Sequence, residues 1–96
     1  MTNPVIDEDG HQHWYDGNGT HHREGGPAYI SKSNCQIWYK NGNWHRTDGP
    51  AVLQPDGTVA WYVNDYLCLT NKSYQRSARL SDEEMTMIVL THGNVE

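Results

Sequence analysis

Six histidines, seven Lys+Arg and twelve Asp+Glu carry most of the chain's capacity for chemistry. His11 and His13 stand two residues apart, so on a strand they share a face, and His21 and His22 follow one hairpin later. Neutral imidazoles converging across a hairpin are donors that zinc accepts. Only His22 of these has a counterpart further along, in His45, and no Cys or carboxylate is spaced to complete a ligand set. Solvated histidines in a polar first segment are the plainer account, and neither a metal nor a cofactor is expected. Cys35 and Cys68 lie 33 residues apart with no CxxC, so neither a zinc ribbon nor a thioredoxin-type site is signalled. There is no G-x-S-x-G elbow and no Gly loop with Lys at a strand-to-helix junction. The acids fall in turns (Asp16, Asp48, Asp56, Asp65) or where a helix would begin (Asp82, Glu83, Glu84), positions that local structure explains without acid–base work. The expectation is a protein that is not an enzyme.

Two His-Arg pairs, His22-Arg23 and His45-Arg46, offer a different chemistry. The five-donor fork of Arg46 can hold Asp48 or neighbouring turn carbonyls, and His45 can bond across the same turn. The alternative is a row of His-Arg sites along one edge, facing an acidic partner or phosphates. Trp44 stands just before the second pair and is the one tryptophan outside a Trp-Tyr doublet; Thr20 or His21 is its counterpart in the first unit and Leu67 in the third. A large ring on a tight turn suits an anchor in a partner's pocket, whereas the framework reading folds it onto Tyr39 or Trp61. The candidate partner-binding residues are therefore Trp44, His45, Arg46, Arg23 and Asp48.

The elements that must position these residues follow from an internal repeat. Trp14-Tyr15, Trp38-Tyr39 and Trp61-Tyr62 recur at spacings of 24 and 23. His22-Arg23 and His45-Arg46 follow the first two doublets, then Gly26-Pro27-Ala28 and Gly49-Pro50-Ala51. Asp9-Gly10, Ser33-Asn34 and Asp56-Gly57 precede each doublet by five residues. The units span about 9–32, 33–55 and 56–78, the first with one extra residue and the third degenerate, with Cys68-Leu69 where His-Arg would stand. A decayed last unit reads as a terminal cap.

Asp-Gly and Asn-Gly are strong hairpin signals because both central turn residues take positive φ. Pro27 and Pro50, lacking an N–H, belong at strand starts. The predicted fold is mainly β, an antiparallel meander of repeated β-hairpins with about five or six short strands and one C-terminal α-helix. Residues 70–80 are polar and mildly basic and read as a connector; Lys72, Tyr74, Arg76 and Arg79 within them make at most a weak nucleic-acid contact. Ser81 with Glu84 forms a capping box, Asp82 and Glu83 suit the positive helix end, and Gly93 is a stop, so a helix is expected near 82–91.

Composition bounds the rest. Ninety-six residues make one small domain, 1–96, burying only ~60–68% of its unfolded surface. The net charge of −5 argues against direct nucleic-acid binding, although the acid-rich start Asp7-Glu8-Asp9 could belong to a face that imitates nucleic-acid phosphate. No run of ~18 apolar residues suggests a membrane span. Met1 to Val5 show no basic region followed by an apolar stretch, so an export signal is not expected and free thiols in a reducing cytoplasm are. Four Trp, six Tyr and no Phe mean that every aromatic ring carries a polar tip. That suits a thin sheet with half-wet rings and equally a binding face.

The stretch from Trp38 to Ala51 resembles a repeat of small proteins of bacteriophages and large DNA viruses, W-Y-x-N-G-x-x-H-R-x-D-G-P-A, and its strand pairs and Gly turns are similar to MORN-type repeats. The resemblance covers roughly residues 9–69. It departs in the first unit, with Asp16-Gly17 for Asn-Gly and Glu24-Gly25 for x-Asp, and in the third, which lacks His-Arg and Gly-Pro-Ala. It implies a β-hairpin module of phage or viral origin and no catalytic residues. The expected function is a non-catalytic protein-binding module that docks onto and inhibits a host protein, such as CRISPR or restriction machinery, in the cytoplasm of an infected bacterium. The alternatives are a self-assembling repeat, homo-oligomeric through sheet edges or an exposed Trp face, and, third, metal or enzymatic chemistry through the histidines.

Overall fold

The computed structural model describes residues 3–95; Met1, Thr2 and Glu96 lie outside it, and with them the first two residues of the segment read against an export signal. Nine short strands come first: β1 (Val5–Ile6), β2 (Gln12–His13), β3 (Tyr29–Ile30), β4 (Gln36–Ile37), β5 (Tyr39–Lys40), β6 (Asn43–Trp44), β7 (Val52–Leu53), β8 (Val59–Val63) and β9 (Tyr66–Cys68). Two helices follow, α1 (Asn71–Ala78) and α2 (Asp82–His92). Seven strands form one antiparallel meander in the order β1-β2-β3-β4-β7-β8-β9, and β5 pairs with β6 apart from it. The strands outnumber the five or six expected, in part because the strand of the second unit is broken at Trp38, where it changes partner, into β4 and β5.

That change falls at the tryptophan of each of the first two units. Trp38 N–H donates to Ala51 O across the sheet at 2.7 Å, while the Trp38 carbonyl accepts from His45 N–H across the hairpin at 3.0 Å. Trp14 does the same with Ala28 O at 2.8 Å and His22 N–H at 3.0 Å. Each of the first two units is therefore a sheet strand whose second half leaves the sheet as a hairpin, whereas in the third β8 runs on through Trp61 and its hairpin with β9 stays in the sheet.

Two kinds of turn serve these two jobs. At Asp56-Gly57 only Gly57 has positive φ, 93°, and Gln54 N–H donates to Thr58 O at 2.9 Å. This is a type I turn closed by a glycine bulge, not the two-residue turn expected there. The two-residue kind sits at the hairpin tips, Asn41 with Gly42 (φ 53° and 85°) and Asn64 with Asp65 (φ 50° and 68°). The first hairpin uses the longer turn instead, with Asp16 N–H donating to Thr20 O at 2.8 Å, which accounts for its extra residue.

Residues 70–80 are not a connector. Thr70 caps α1 by accepting Ser73 N–H at 3.0 Å, and Arg79 ends it in the left-handed conformation. The helix is polar all round except for Tyr74, which is fully buried, with Ala78 and Leu80 packed alongside the core. Helix α2 starts at the Ser81–Glu84 capping box and stops at Gly93, as expected. Both helices close over the last unit: Trp61, Val63, Cys68, Tyr74, Met85 and Ile88 make one buried cluster. Cys68 fills the place of a repeat histidine there, and it and Cys35 are free thiols. No helix among the described residues is long and apolar enough to cross a membrane.

Candidate functional site

The His-Arg pairs are built into the seams between hairpins. Arg46 lies over Trp38, its guanidinium carbon 3.8 Å from the ring centroid, and donates from Nη1 to Pro50 O at 3.1 Å and from Nε to Asp48 Oδ1 at 2.8 Å. Arg23 repeats this over Trp14 at 4.0 Å, with Nη1 donating to Pro27 O at 3.1 Å. The glycine of each Gly-Pro-Ala leaves room for the fork: a Cβ on Gly49 would lie 2.8 Å from the Arg46 guanidinium carbon. Each histidine reaches the next unit. His22 Nδ1 accepts Asn41 N–H and His45 Nδ1 accepts Asn64 N–H, both at 3.1 Å. An accepting Nδ1 fixes the neutral tautomer with the proton on Nε2. Burial, and then the Lys40 charge, hold the His45 imidazole below its ordinary pKa.

Trp44 stands directly opposite Tyr39 in the β5–β6 pair, one of the two neighbours the framework reading named. Its ring meets that of Tyr62 edge-on, centroids 4.9 Å apart, and its backbone N–H donates to Asp65 Oδ1 at 2.6 Å. His21 holds the same place in the first unit, stacked on Tyr39 at 4.7 Å. Both positions put a ring on the tyrosine of the following unit, so Trp44 has a repeat counterpart and that counterpart is His21, not Thr20. The substitution of Trp for His hid this in the sequence.

Four of the five candidate residues come together. Arg23, His45, Arg46 and Asp48 line one cleft of about 240 Å³ between the first two hairpins, together with Trp38, Tyr39, Lys40 and Glu24. Trp44 is not among its lining residues. Asp48 neutralises Arg46, which leaves Arg23 and Lys40 against Glu24. Trp38 Nε1–H is buried without an acceptor among the described residues, as is Trp61 Nε1–H, so the orphan donor belongs to the repeat rather than to the cleft. The cleft can take a carboxylate or another small acidic group against an aromatic wall.

No family model, curated protein or solved structure matches the chain. The site is therefore read from its own geometry.

A second cluster lies on the first unit and joins three residues that the sequence kept apart. Asp7 Oδ2 is 2.8 Å from His13 Nε2, and His13 Nδ1 is 3.0 Å from His21 Nε2. Tyr15, Tyr29 and Tyr39 surround the two imidazoles. The hydrogen bond from His13, then the N–H of His11, hold the Asp7 carboxyl below its usual range. Burial, then the neighbouring His13, push the His21 imidazole down as well. Asp7, Asp9 and His11 also bring one ligand atom each within 4.8 Å of one another. Asp7 is already committed there, with Oδ1 accepting from Asp9 N–H and His11 N–H and Oδ2 bonded to His13. His11 in turn accepts Lys32 N–H at Nδ1. The acid-rich start is thus a built turn and not merely a solvated end. The carboxylate partner of the histidines was missed because Asp7 precedes the repeat and meets His13 through strand pairing, not spacing.

Proposed function

We propose that this chain is a non-catalytic protein-binding module and that the cleft between its first two hairpins receives an acidic side chain of the partner. The observation that carries this is the gathering of Arg23, Lys40, His45 and Arg46 around the Trp38 and Tyr39 rings on a chain whose net charge is −5. With Arg46 paired to Asp48 and Glu24 opposing Arg23 and Lys40, the cleft keeps a net charge of about +1 on an acidic protein, which favours an acidic group on an otherwise basic or neutral surface. Trp44, half-buried on β6 and set edge-on against Tyr62, lies outside the cleft lining and offers a second, separate anchor ring. The partner in this reading is a host protein met in the cytoplasm of an infected bacterium, as the phage-type repeat implies, and binding inhibits it.

Capture from a bacterial lysate with wild-type protein, Lys40→Glu and Trp44→Ala tests the reading. Lys40 is exposed, so its reversal leaves the fold intact. One dominant partner lost with Lys40→Glu at unchanged melting temperature is the expected result. Equal capture by Lys40→Glu removes the cleft from the interface.

A self-assembling module is the second reading, favoured by the sheet's two outer strands. Val5 and Ile6 on β1 are 55% and 64% exposed, and Tyr66 and Leu67 on β9 are 67% and 46% exposed. Apolar edges of this kind template pairing with another chain. Concentration-dependent growth in light scattering, abolished by Leu67→Lys, would favour it over the first.

A further inference from the structure

The Asp7–His13–His21 cluster has a direction imposed by its chemistry. An ionised carboxylate only accepts, so Asp7 Oδ2 at 2.8 Å fixes the proton of His13 on Nε2. His13 Nδ1 is left with a bare lone pair, and it faces His21 Nε2 at 3.0 Å. In the metal-free molecule His21 donates its Nε2–H into that lone pair. Strand pairing of β1, β2 and β3 holds His13, and the Tyr15–His21 bridge holds the other side of the hairpin. Tyr29 packs on His13 and Tyr39 stacks on His21, which keeps the two imidazoles side by side.

We propose that His13 Nδ1 and His21 Nε2 are the protein ligands of a divalent transition-metal site of the zinc and copper class, with Asp7 orienting His13 from behind. A metal-binding imidazole ordinarily gives its other N–H to a carboxylate, which is the arrangement already present between His13 and Asp7. Zn–N bonds of about 2.0–2.1 Å set tetrahedral ligand nitrogens roughly 3.3 Å apart, so the pair needs only a small opening and a turn of the rings. His21 passes its proton from Nε2 to Nδ1, a tautomer change that leaves the charge unaltered. The His13 side chain is 16% exposed, so solvent reaches the pair and water completes the coordination. The site lies apart from the cleft and does not depend on the partner-binding reading.

Zinc chloride alone, titrated into the full chain by calorimetry and followed in long-range proton–nitrogen spectra of the histidine rings, tests this. One zinc per chain is expected, with shifts at His13 Nδ1 and His21 Nε2. His21→Gln should weaken binding at least tenfold, and His11→Gln should leave it within about twofold. Asp7→Asn guards against a variant that fails to fold. Its Oδ1 can still accept the turn N–H groups, while its amide donates toward His13 and forces the proton onto Nδ1, which blocks the ligand atom. A loss of about 10–100-fold is expected there. Undiminished binding in His21→Gln, loss in His11→Gln instead, or no ring shift on adding zinc overturns the site.

Discussion

The guanidinium carbon of Arg46 lies 3.8 Å above the ring of Trp38, and the same contact recurs between Arg23 and Trp14 at 4.0 Å. Trp61, the tryptophan of the third Trp-Tyr doublet, has no such arginine. Trp61 is covered instead by Tyr74 of α1, edge-on at 4.7 Å, and by His92 of α2 at 6.3 Å. The helices thus supply for the last unit what an arginine supplies for the first two. This also explains why a unit without His-Arg and Gly-Pro-Ala remains packed.

Arg46→Ala should destabilise the isolated protein by about 2 kcal/mol, the sum of a desolvated cation–π contact and the lost bonds to Pro50 and Asp48. Arg46→Lys should recover only part, because an ammonium cannot bridge both acceptors while lying flat on the ring. Urea unfolding measures both. An unchanged midpoint for Arg46→Ala would assign the residue to contact rather than framework.

Tyr74→Phe isolates one hydroxyl. That hydroxyl lies 2.6 Å from Arg46 O and 3.0 Å from Gly49 O, and accepts Gly49 N–H at 3.3 Å. It joins α1 to the second unit, and burial drives its pKa upward. Its removal should cost ~1–3 kcal/mol, because buried backbone groups lose their partner. Amide exchange at Gly49 should accelerate in the same variant, and normal protection there would contradict the linkage.

Gly42 and Gly57 separate strain from space. Both have positive φ, so alanine at either is disfavoured by ~1–2 kcal/mol. A Cβ on Gly42 would also meet Thr20 Cγ2 at 2.6 Å, whereas nothing lies within 4 Å of one on Gly57. Gly42→Ala should therefore be the more damaging, and Thr20→Ser combined with it should restore part of the loss. Additive thermal shifts in the double variant would mean that the hairpin tips are not in contact.

Acid should loosen the seams between hairpins before it protonates the carboxylates. His45 and His21 have folded pKa values held below the ordinary ~6.5. The unfolded chain then takes up protons that the folded one refuses, so this stability is present above pH ~6.5 and falls as pH drops below it. Asp7, Asp16, Asp56 and Glu84 are held low by hydrogen bonds and stay ionised in that window. In chelating buffer the melting temperature should be lower at pH 5.5 than at 7.5, with faster exchange at the Asn64 amide that His45 accepts. A flat profile between those values would show that protonation is tolerated.

The repeat, the positions of its turns and the C-terminal capping box were legible in the sequence because each is local, although the type of the Asp56-Gly57 turn was not. A positive-φ residue, an N-cap serine and a glutamate three positions on act within a few residues, and a repeat copies them at fixed intervals. The pairing of Arg46 with Asp48 was legible for the same reason, since both lie on one loop. What the His-Arg pairs reach was not. His45 bonds Asn64 and Trp44 meets Tyr62, one unit away, and only the stacking of hairpins brings those positions together. Helix α1 escaped notice because its composition is strongly polar, with Tyr74 and Ala78 alone on its core side, and the value of Tyr74 lies in what it covers. Asp7 meets His13 because the meander sets Val5 opposite His13 and aims the carboxylate of the intervening turn at the ring. Spacing fixes local conformation; contacts between units depend on the register and stacking of whole hairpins, which only the tertiary structure decides.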